Sequence, residues 1–495
     1  MKAARVVILS GFACLLLTLN ACSTSPPAEP AALADPSKIE AVEQGLLPHF
    51  YFDEQQDRVP LLERMRHYDV PGISLAVIEG GEVAWAKGYG VGAGEGGDPV
   101  DAETLFQAAS ISKPIAVMAV MRLVEEGKLD LDEDINNRLS GWKLPSNDWT
   151  DQAPVTLRSI MSHTAGLTVH GFPGYRPDQA LPEVPSILDG QTPANTAAVR
   201  VDKLPGEGFR YSGGGITVMQ QLAMDVSGLP FPRFVSQQIL DPLGMSRSTY
   251  QQPLSDQYAS NASRAHDNQG QVVQGGWHVY PEMAAAGLWT TAGDLARAAV
   301  EVQKSLTGKS NKVLKQSTLS EMLTPQNGGP VGLGFFLEGE GQSQRFGHGG
   351  SNRGFRCRLL AYVHQGQGAA VMTNAAQGGA LAQEILETIA RVYEWPDFPQ
   401  SGVQLVRLEA ELLDRYTGTF KVPSRGTFQI VRQGTKLLGS RSGSDEQDEL
   451  LPASETEFIL ESQRTRVQFE LKEGRATAFT IRIRGADVRA ERVEN

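Results

Sequence analysis

Apolar positions along this chain change their spacing from segment to segment, and the changes mark out its parts. Behind Lys2 and Arg5 comes a mostly apolar run over residues 6–19, too short to span a membrane. Residues 23–34 are rich in Ser, Pro and Ala with little to bury, which predicts a flexible tether. Residues 73–78 and 82–87 are short strand-like runs joined around Gly80-Gly81, a hairpin that opens an antiparallel sheet. Over 111–126, Ile115, Val117, Met118, Val120, Met121 and Val124 are apolar without strict alternation and Gly127 follows. That pattern predicts a largely buried helix with a glycine stop. Prolines at 145, 154, 173, 182, 205 and 242 then divide helical and loop segments as far as about 280.

Thr291-Ala292-Gly293-Asp294 resembles a capping box and opens a further helix. Strands return at 345–348, 354–363 and 369–373, and a helix over 381–393 places Leu381, Ile385, Ile389 and Val392 on one side. After Trp395-Pro396 the runs 416–422, 427–431, 467–471 and 479–483 alternate apolar with polar residues, with Lys472-Glu473-Gly474 as hairpin-loop chemistry. The predicted fold class is α/β: an antiparallel sheet flanked by helices, a helical subdomain inserted in it, and a small β domain over 405–495.

The N-terminal run reads as a signal peptide over 1–21, and Leu19-Asn20-Ala21-Cys22 resembles a bacterial lipobox. Cleavage would leave a diacylated Cys22 anchoring the chain to a membrane of the cell envelope, on its periplasmic face, with 22–55 as tether and linker. Ordinary secretion without lipid is the alternative. Cys14 leaves with the signal and Cys22 carries lipid, so Cys357 stands alone and no disulfide is expected. The formal charge of −12 lacks the basic footprint that nucleic-acid binding needs. Eight scattered histidines form no zinc-type spacing, so neither metal nor cofactor is expected. Nothing in the pattern sets an oligomeric state.

Chemistry enters at Ser110-Ile111-Ser112-Lys113. Three residues along a helix put two side chains on neighbouring positions of one face. A desolvated lysine of depressed pKa can take the proton of a serine hydroxyl and make it a nucleophile. Pro114 fits a first turn, and the helix start favours developing negative charge. Ser140-Gly141-Trp142-Lys143 has the same spacing, but Gly141 and Pro145 make it a loop where no rigid pairing is expected. Tyr211-Ser212-Gly213 offers a phenol that relays a proton once a cationic site lowers its pKa. His348-Gly349-Gly350-Ser351 ends a predicted strand with glycines against which a substrate backbone can lie.

In this order the three motifs resemble those of the serine β-lactamase and penicillin-binding-protein superfamily: class C β-lactamases, DD-peptidases and family VIII carboxylesterases. Val70-Pro71-Gly72, residues 161–167 and Asp241-Pro242-Leu243-Gly244-Met245 are similar to the same family. The resemblance implies a β-lactamase-like hydrolase domain over 56–397, with Ser110 as nucleophile, Lys113 as its base and Tyr211 as proton relay. It also implies an oxyanion hole from the Ser110 and Ser351 amides, and His348 as a positive or hydrogen-bonding side wall. Gly213, Gly349 and Gly350 fall at substrate-binding positions, and His163 at a structural one. Gly213 stands where β-lactamases and DD-peptidases usually have Asn, which weakens the antibiotic and peptidoglycan readings. The implied function is an envelope serine hydrolase that cleaves a small-molecule or peptide ester or amide. A DD-peptidase or β-lactamase, and a catalytically weak binding module, are the alternatives. The strand Tyr416-Thr417-Gly418-Thr419-Phe420 gives the C-terminal domain a resemblance to appended lipocalin-like domains.

Overall fold

The computed structural model describes residues 34–93, 96–423, 426–441, 447–461, 465–483 and 486–493. The expected signal segment 1–21 and the lipidation position Cys22 lie outside the described residues.

Part of the stretch expected as linker is folded. Helix α1 (Pro36–Gln44) begins at Asp35, whose carboxylate accepts from the Ser37 N–H at 2.9 Å, with proline in the first turn. Val42 and Leu46 are fully buried. Strand β1 (Phe50–Tyr51) pairs with the chain returning from the first domain. Its apolar residues are too few for a periodicity to announce these elements, and the burial that forms them is supplied by distant segments.

Helix α2 (Leu61–His67) leads into β2 (Gly72–Glu79) and β3 (Glu82–Ala93), joined by the expected Gly80-Gly81 turn with both glycines at positive φ. The short strands β4 (Asp98–Pro99) and β5 (Phe106–Gln107) follow, then helix α3 (Ser112–Glu125). The inserted region includes α4 (Leu157–Met161), α5 (Gly213–Ser227) and the single turn α6 (Met283–Ala286). Beyond it come β6 (Trp289–Thr290), α7 (Ala292–Leu306), β7 (Phe336–Glu338), β8 (Arg345–Asn352), β9 (Phe355–Tyr362), β10 (Gly368–Thr373) and α8 (Gly378–Val392).

A seven-stranded antiparallel sheet in the order β4-β3-β2-β10-β9-β8-β7 joins the first and last parts of this domain. Strand β2 is buried along nearly its whole length because both faces are covered. Ile73, Leu75 and Val77 pack with Val42, Leu381, Ile385 and Ile389 from α1 and α8. Ala76 and Ile78 belong to the other core, with α3, α5 and α7. On the first face the Arg64 guanidinium makes a two-point contact with Glu384 at 2.9 and 2.8 Å, and Tyr68 Oη donates to the same carboxylate at 2.6 Å. This paired and hydrogen-bonded charge fixes α2 on α8; removing one partner would strand the other in an apolar layer. The predicted cap of α7 is present, Thr291 Oγ1 accepting from the Asp294 N–H at 3.1 Å.

Strand β11 (Val403–Gln404) pairs in parallel with β1 and carries the chain into the C-terminal domain. There β12 (Gly418–Val422), β13 (Gly426–Gln433), β14 (Lys436–Arg441), β15 (Gln447–Pro452), β16 (Glu457–Leu460), β17 (Thr465–Lys472), β18 (Arg475–Ile483) and β19 (Ala486–Arg492) form a closed meander, β19 returning to β12. Its interior is packed by Tyr416, Phe420, Leu437, Leu450, Phe458, Phe469 and Phe479. Closure removes the exposed strand edges of an open sheet.

Candidate active site

Ser110 sits in a tight turn where β5 gives way to α3. Ala109, just before it, is a buried non-glycine residue held at φ 51°, a conformation that persists only where the surroundings impose it. They do so by hydrogen bonds. Ala108 N–H donates to Leu288 O at 2.9 Å. Ser112 Oγ donates to Ala109 O at 2.5 Å and accepts from Leu288 N–H at 2.9 Å. Strand β8 presses on the same turn: a Cβ at Gly350 would stand 2.3 Å from Ala108 O. Only glycine lets β8 approach so closely, and Ser110 and Ser351 thereby line one cavity.

Lys113, one helical turn on, is buried with its Nζ 3.0 Å from Ser110 Oγ and 2.7 Å from Ala285 O at the end of α6. Burial pulls its pKa down to about 7, so a large fraction is a neutral amine near neutrality. The turn that supplies Ala285 O is held by Gln220 of α5, which donates to Pro281 O at 3.0 Å and accepts from Ala284 N–H at 2.8 Å. Glu282 beneath it is fully buried. Desolvation pushes that carboxyl up to about 7. By contrast Ser140 is exposed, its N–H donating to Asp225 at 2.7 Å, and it takes no part in this constellation.

Tyr211 is bracketed by His163. The imidazole packs 4.3 Å from the phenol ring between centroids, Nδ1 accepts from Ser212 N–H at 3.2 Å, and His163 O accepts from Arg210 N–H at 2.8 Å. His163 therefore positions the motif, the structural role implied for it. The tyrosine ring lies 5.0 Å from Lys113 Nζ. The expected lowering of its pKa does not occur. Burial raises the phenol to about 12, and the hydrogen bond with Ser110 pulls the other way without reversing it.

Of the two roles expected for His348, positive or hydrogen-bonding, the geometry fits the second. Burial first, then the Lys113 charge, bring its pKa down to about 3, so it is a neutral side wall and never a positive one near neutral pH. Its Nδ1–H donates to Gly349 O at 2.6 Å, leaving Nε2 buried with no partner.

Ser110, His170, Phe209, Tyr211, Phe336, His348, Gly349, Gly350 and Ser351 line the cavity, whose volume is about 710 Å³. Gly213 does not: it is buried at the start of α5, and a Cβ there would meet His170 O and the Phe172 ring at 3.1 Å. The loop 170–172 closes tightly over this position. Sequence reasoning missed this loop, the Phe209 and Phe336 wall and Ala285 O, because each comes to the site by a tertiary contact that no local spacing records.

Comparison with known proteins places this geometry in a family. Residues 61–394 match the Beta-lactamase family model, and residues 405–492 match a domain of unknown function, DUF3471. The chain is 22% identical over 454 residues to penicillin-binding protein 4* of Bacillus subtilis (strain 168), covering 85% of this chain and 95% of that protein. It is 23% identical to protein flp of Staphylococcus aureus (strain MW2), covering 65% of this chain and 63% of flp. The fold is shared with the octameric penicillin-binding protein homologue from Pyrococcus abyssi, at a TM-score of 0.60 and 21% identity over 87% of this chain and 98% of that one. It is shared also with a β-lactamase/D-alanine carboxypeptidase from Pseudomonas syringae, at 0.52 and 18% over 66% and 96%. Since the family match spans all of Ser110, Lys113, Tyr211 and His348, the chain belongs to the β-lactamase family, within the penicillin-binding-protein-like serine hydrolases.

Proposed function

We propose that this protein hydrolyses an ester or amide through an acyl-enzyme on Ser110. The observation that carries the reading is the buried Lys113 amine 3.0 Å from Ser110 Oγ with a pKa of about 7. Neutral Lys113 takes the hydroxyl proton as Ser110 Oγ attacks the carbonyl carbon, and the oxyanion forms against the N–H groups of Ser110 and Ser351. Tyr211, protonated at neutral pH because its pKa is about 12, gives its proton to the leaving oxygen or nitrogen and is reprotonated from the Lys113 ammonium. Water then attacks the acyl carbon by the reverse sequence and frees Ser110. A binding module without catalysis has no use for a desolvated lysine against a strained serine turn.

Within this chemistry we place simple esters ahead of acylamino substrates. Relatives that hold an acylamino side chain do so with an asparagine, and here the Gly213 position offers no side chain, with His170 O and the Phe172 ring 3.1 Å from where a Cβ would stand. Such a hydrogen bond is worth on the order of 1–3 kcal/mol, or about ten- to a hundredfold in discrimination. Wall-peptide or penicillin hydrolysis is the second reading, supported by the names of the relatives. The cellular setting completing the proposal is the envelope, with the enzyme held at the periplasmic face through a lipid on Cys22. Comparing kcat/KM for a nitrophenyl ester and a chromogenic cephalosporin tests the order: the ester should be the better substrate, and a cephalosporin preference would put the β-lactamase reading first.

A further inference from the structure

Strand β8 is paired on one side only where it meets the serine turn. Strand β7 reaches no further along it than Gly347, so residues 348–352 are held to β9 alone and bring their other edge against the segment 107–110. The close contact of Gly350 with Ala108 O limits how near the two can come. A steric limit does not attract, so the edge needs a bond that holds it there. That bond is found two residues further on.

Asn352, the last residue of β8, is 6% exposed, and Gln107 of β5 is 1% exposed. Neither is among the residues that line the cavity. Asn352 Nδ2 donates to Gln107 Oε1 at 2.8 Å and to Ala286 O of α6 at 3.1 Å, and Gln107 Nε2 donates to His278 O at 2.7 Å. Ala286 O and His278 O can only accept, so one orientation of each side-chain amide satisfies both ends of this chain of bonds. The next residue adds to it, the Arg353 N–H donating to Tyr280 Oη at 3.0 Å. Cys357, opposite Gly350 on β9, gives Gln107 O a weaker thiol bond at 3.2 Å. The turn that carries Ala286 does not depend on Asn352 for its place. Gln220 binds it at Pro281 O and the Ala284 N–H, and Gln252 Nε2 donates to Gly287 O at 2.8 Å. It is therefore a fixed support on which the end of β8 is anchored.

Ser351 lies between the two contacts: Gly350 before it stands at the limit of approach, and Asn352 after it is bonded across the gap. An amide fixed from both sides is preorganised, which is what a donor to a developing charge requires. Resting on the serine-hydrolase reading above, we infer that Asn352, acting through Gln107, is a positioning residue that holds the Ser351 amide at the separation from the Ser110 amide that an oxyanion needs.

The experiment uses the full chain, with nitrophenyl acetate as substrate and phenylboronic acid as inhibitor, whose tetrahedral adduct on a serine puts an oxygen where an oxyanion would form. Wild type is compared with Asn352→Ala, with Gln107→Leu, and with Gln107→Glu, which keeps an acceptor for Asn352. Losing one oxyanion donor outright costs about 10²–10³ in rate. A donor released from its clamp should cost about tenfold or more in kcat/KM in Asn352→Ala and Gln107→Leu, with the Ki of the boronate rising by the same factor. Gln107→Glu should stay close to wild type. The rise of kcat/KM with pH through about 7 should not move in any variant, because Lys113 keeps its burial and its Ala285 O partner; a loosened fold would move it toward the ordinary lysine value. Wild-type kcat/KM and Ki in folded Asn352→Ala overturn the assignment, as does a loss in Gln107→Glu equal to that in Gln107→Leu. Activity lost with the boronate Ki unchanged, a displaced pH inflection, or failure of both Asn352→Ala and Gln107→Leu to fold also overturns it, since each makes the pair structural only. A wild type that neither cleaves the ester nor binds the boronate overturns instead the hydrolase reading on which the assignment rests.

Discussion

Burial alone brings the Lys113 amine to about 7, so its protonation state changes around neutral pH. The group is depressed from 10.5, and its neutral, base-competent form is gained as pH rises through about 7. The kcat/KM for a nitrophenyl ester should therefore climb roughly tenfold per pH unit below that value and level off above it. His348 and Tyr211, at about 3 and about 12, add no bend between pH 5 and 9. A profile flat across that range would show that Lys113 is not the base. Lys113→Ala should lose about 10²–10⁴ in acylation rate. At this scale the sequence was most informative where the chemistry is local: Ser110 and Lys113 are one helical turn apart, and the apolar helix that follows them separates this pair from the equally spaced Ser140 and Lys143. The direction of the Tyr211 shift was illegible, because it depends on how deeply two distant segments bury the ring.

At the scale of elements, the site is a contact between a strained turn and a strand. The turn 108–112 holds Ala109 at positive φ, and β8 closes on it through Gly350. Since the neighbour of a Cβ at 350 is a backbone carbonyl 2.3 Å away, Gly350→Ala must push the strand back. The Ser351 amide moves with it, away from where the proposed oxyanion would form. The expected cost resembles that of losing one oxyanion donor, about 10²–10³ in kcat/KM, with the far-UV circular dichroism spectrum retained. Near-wild-type activity in a folded Gly350→Ala protein would contradict this account of the strand. Elements with strong patterns were readable in advance: β2, β3, α3, β8–β10 and α8 lie close to their expected places. Helix α1 was not, because Ile39, Val42 and Leu46 gain meaning only against α8. Nor were β14, β15 and β19, whose charged and glycine positions hide the alternation, or β16, a run of only three apolar residues after Glu457.

For the whole molecule, the chain around residues 49–52 ties its two domains. Val403 N–H donates to His49 O and Leu405 N–H to Tyr51 O, both at 2.7 Å, and Val406 N–H donates to Pro452 O of the barrel at 2.9 Å. The linker part of the span 22–55 is thus structural from Pro36 onward, and the barrel, filled with aromatic side chains, leaves the cavity at Ser110 to the larger domain. The proposed function converges on one bond, the ester that would form between a substrate acyl group and Ser110 Oγ. Peptide mapping by mass spectrometry after reaction with a fluorophosphonate reads that position directly, in wild type, Ser110→Ala and Ser140→Ala. The account predicts a single adduct on the peptide containing Ser110, absent in Ser110→Ala and undiminished in Ser140→Ala. An adduct that persists in Ser110→Ala, or that maps to another residue in wild type, would contradict it.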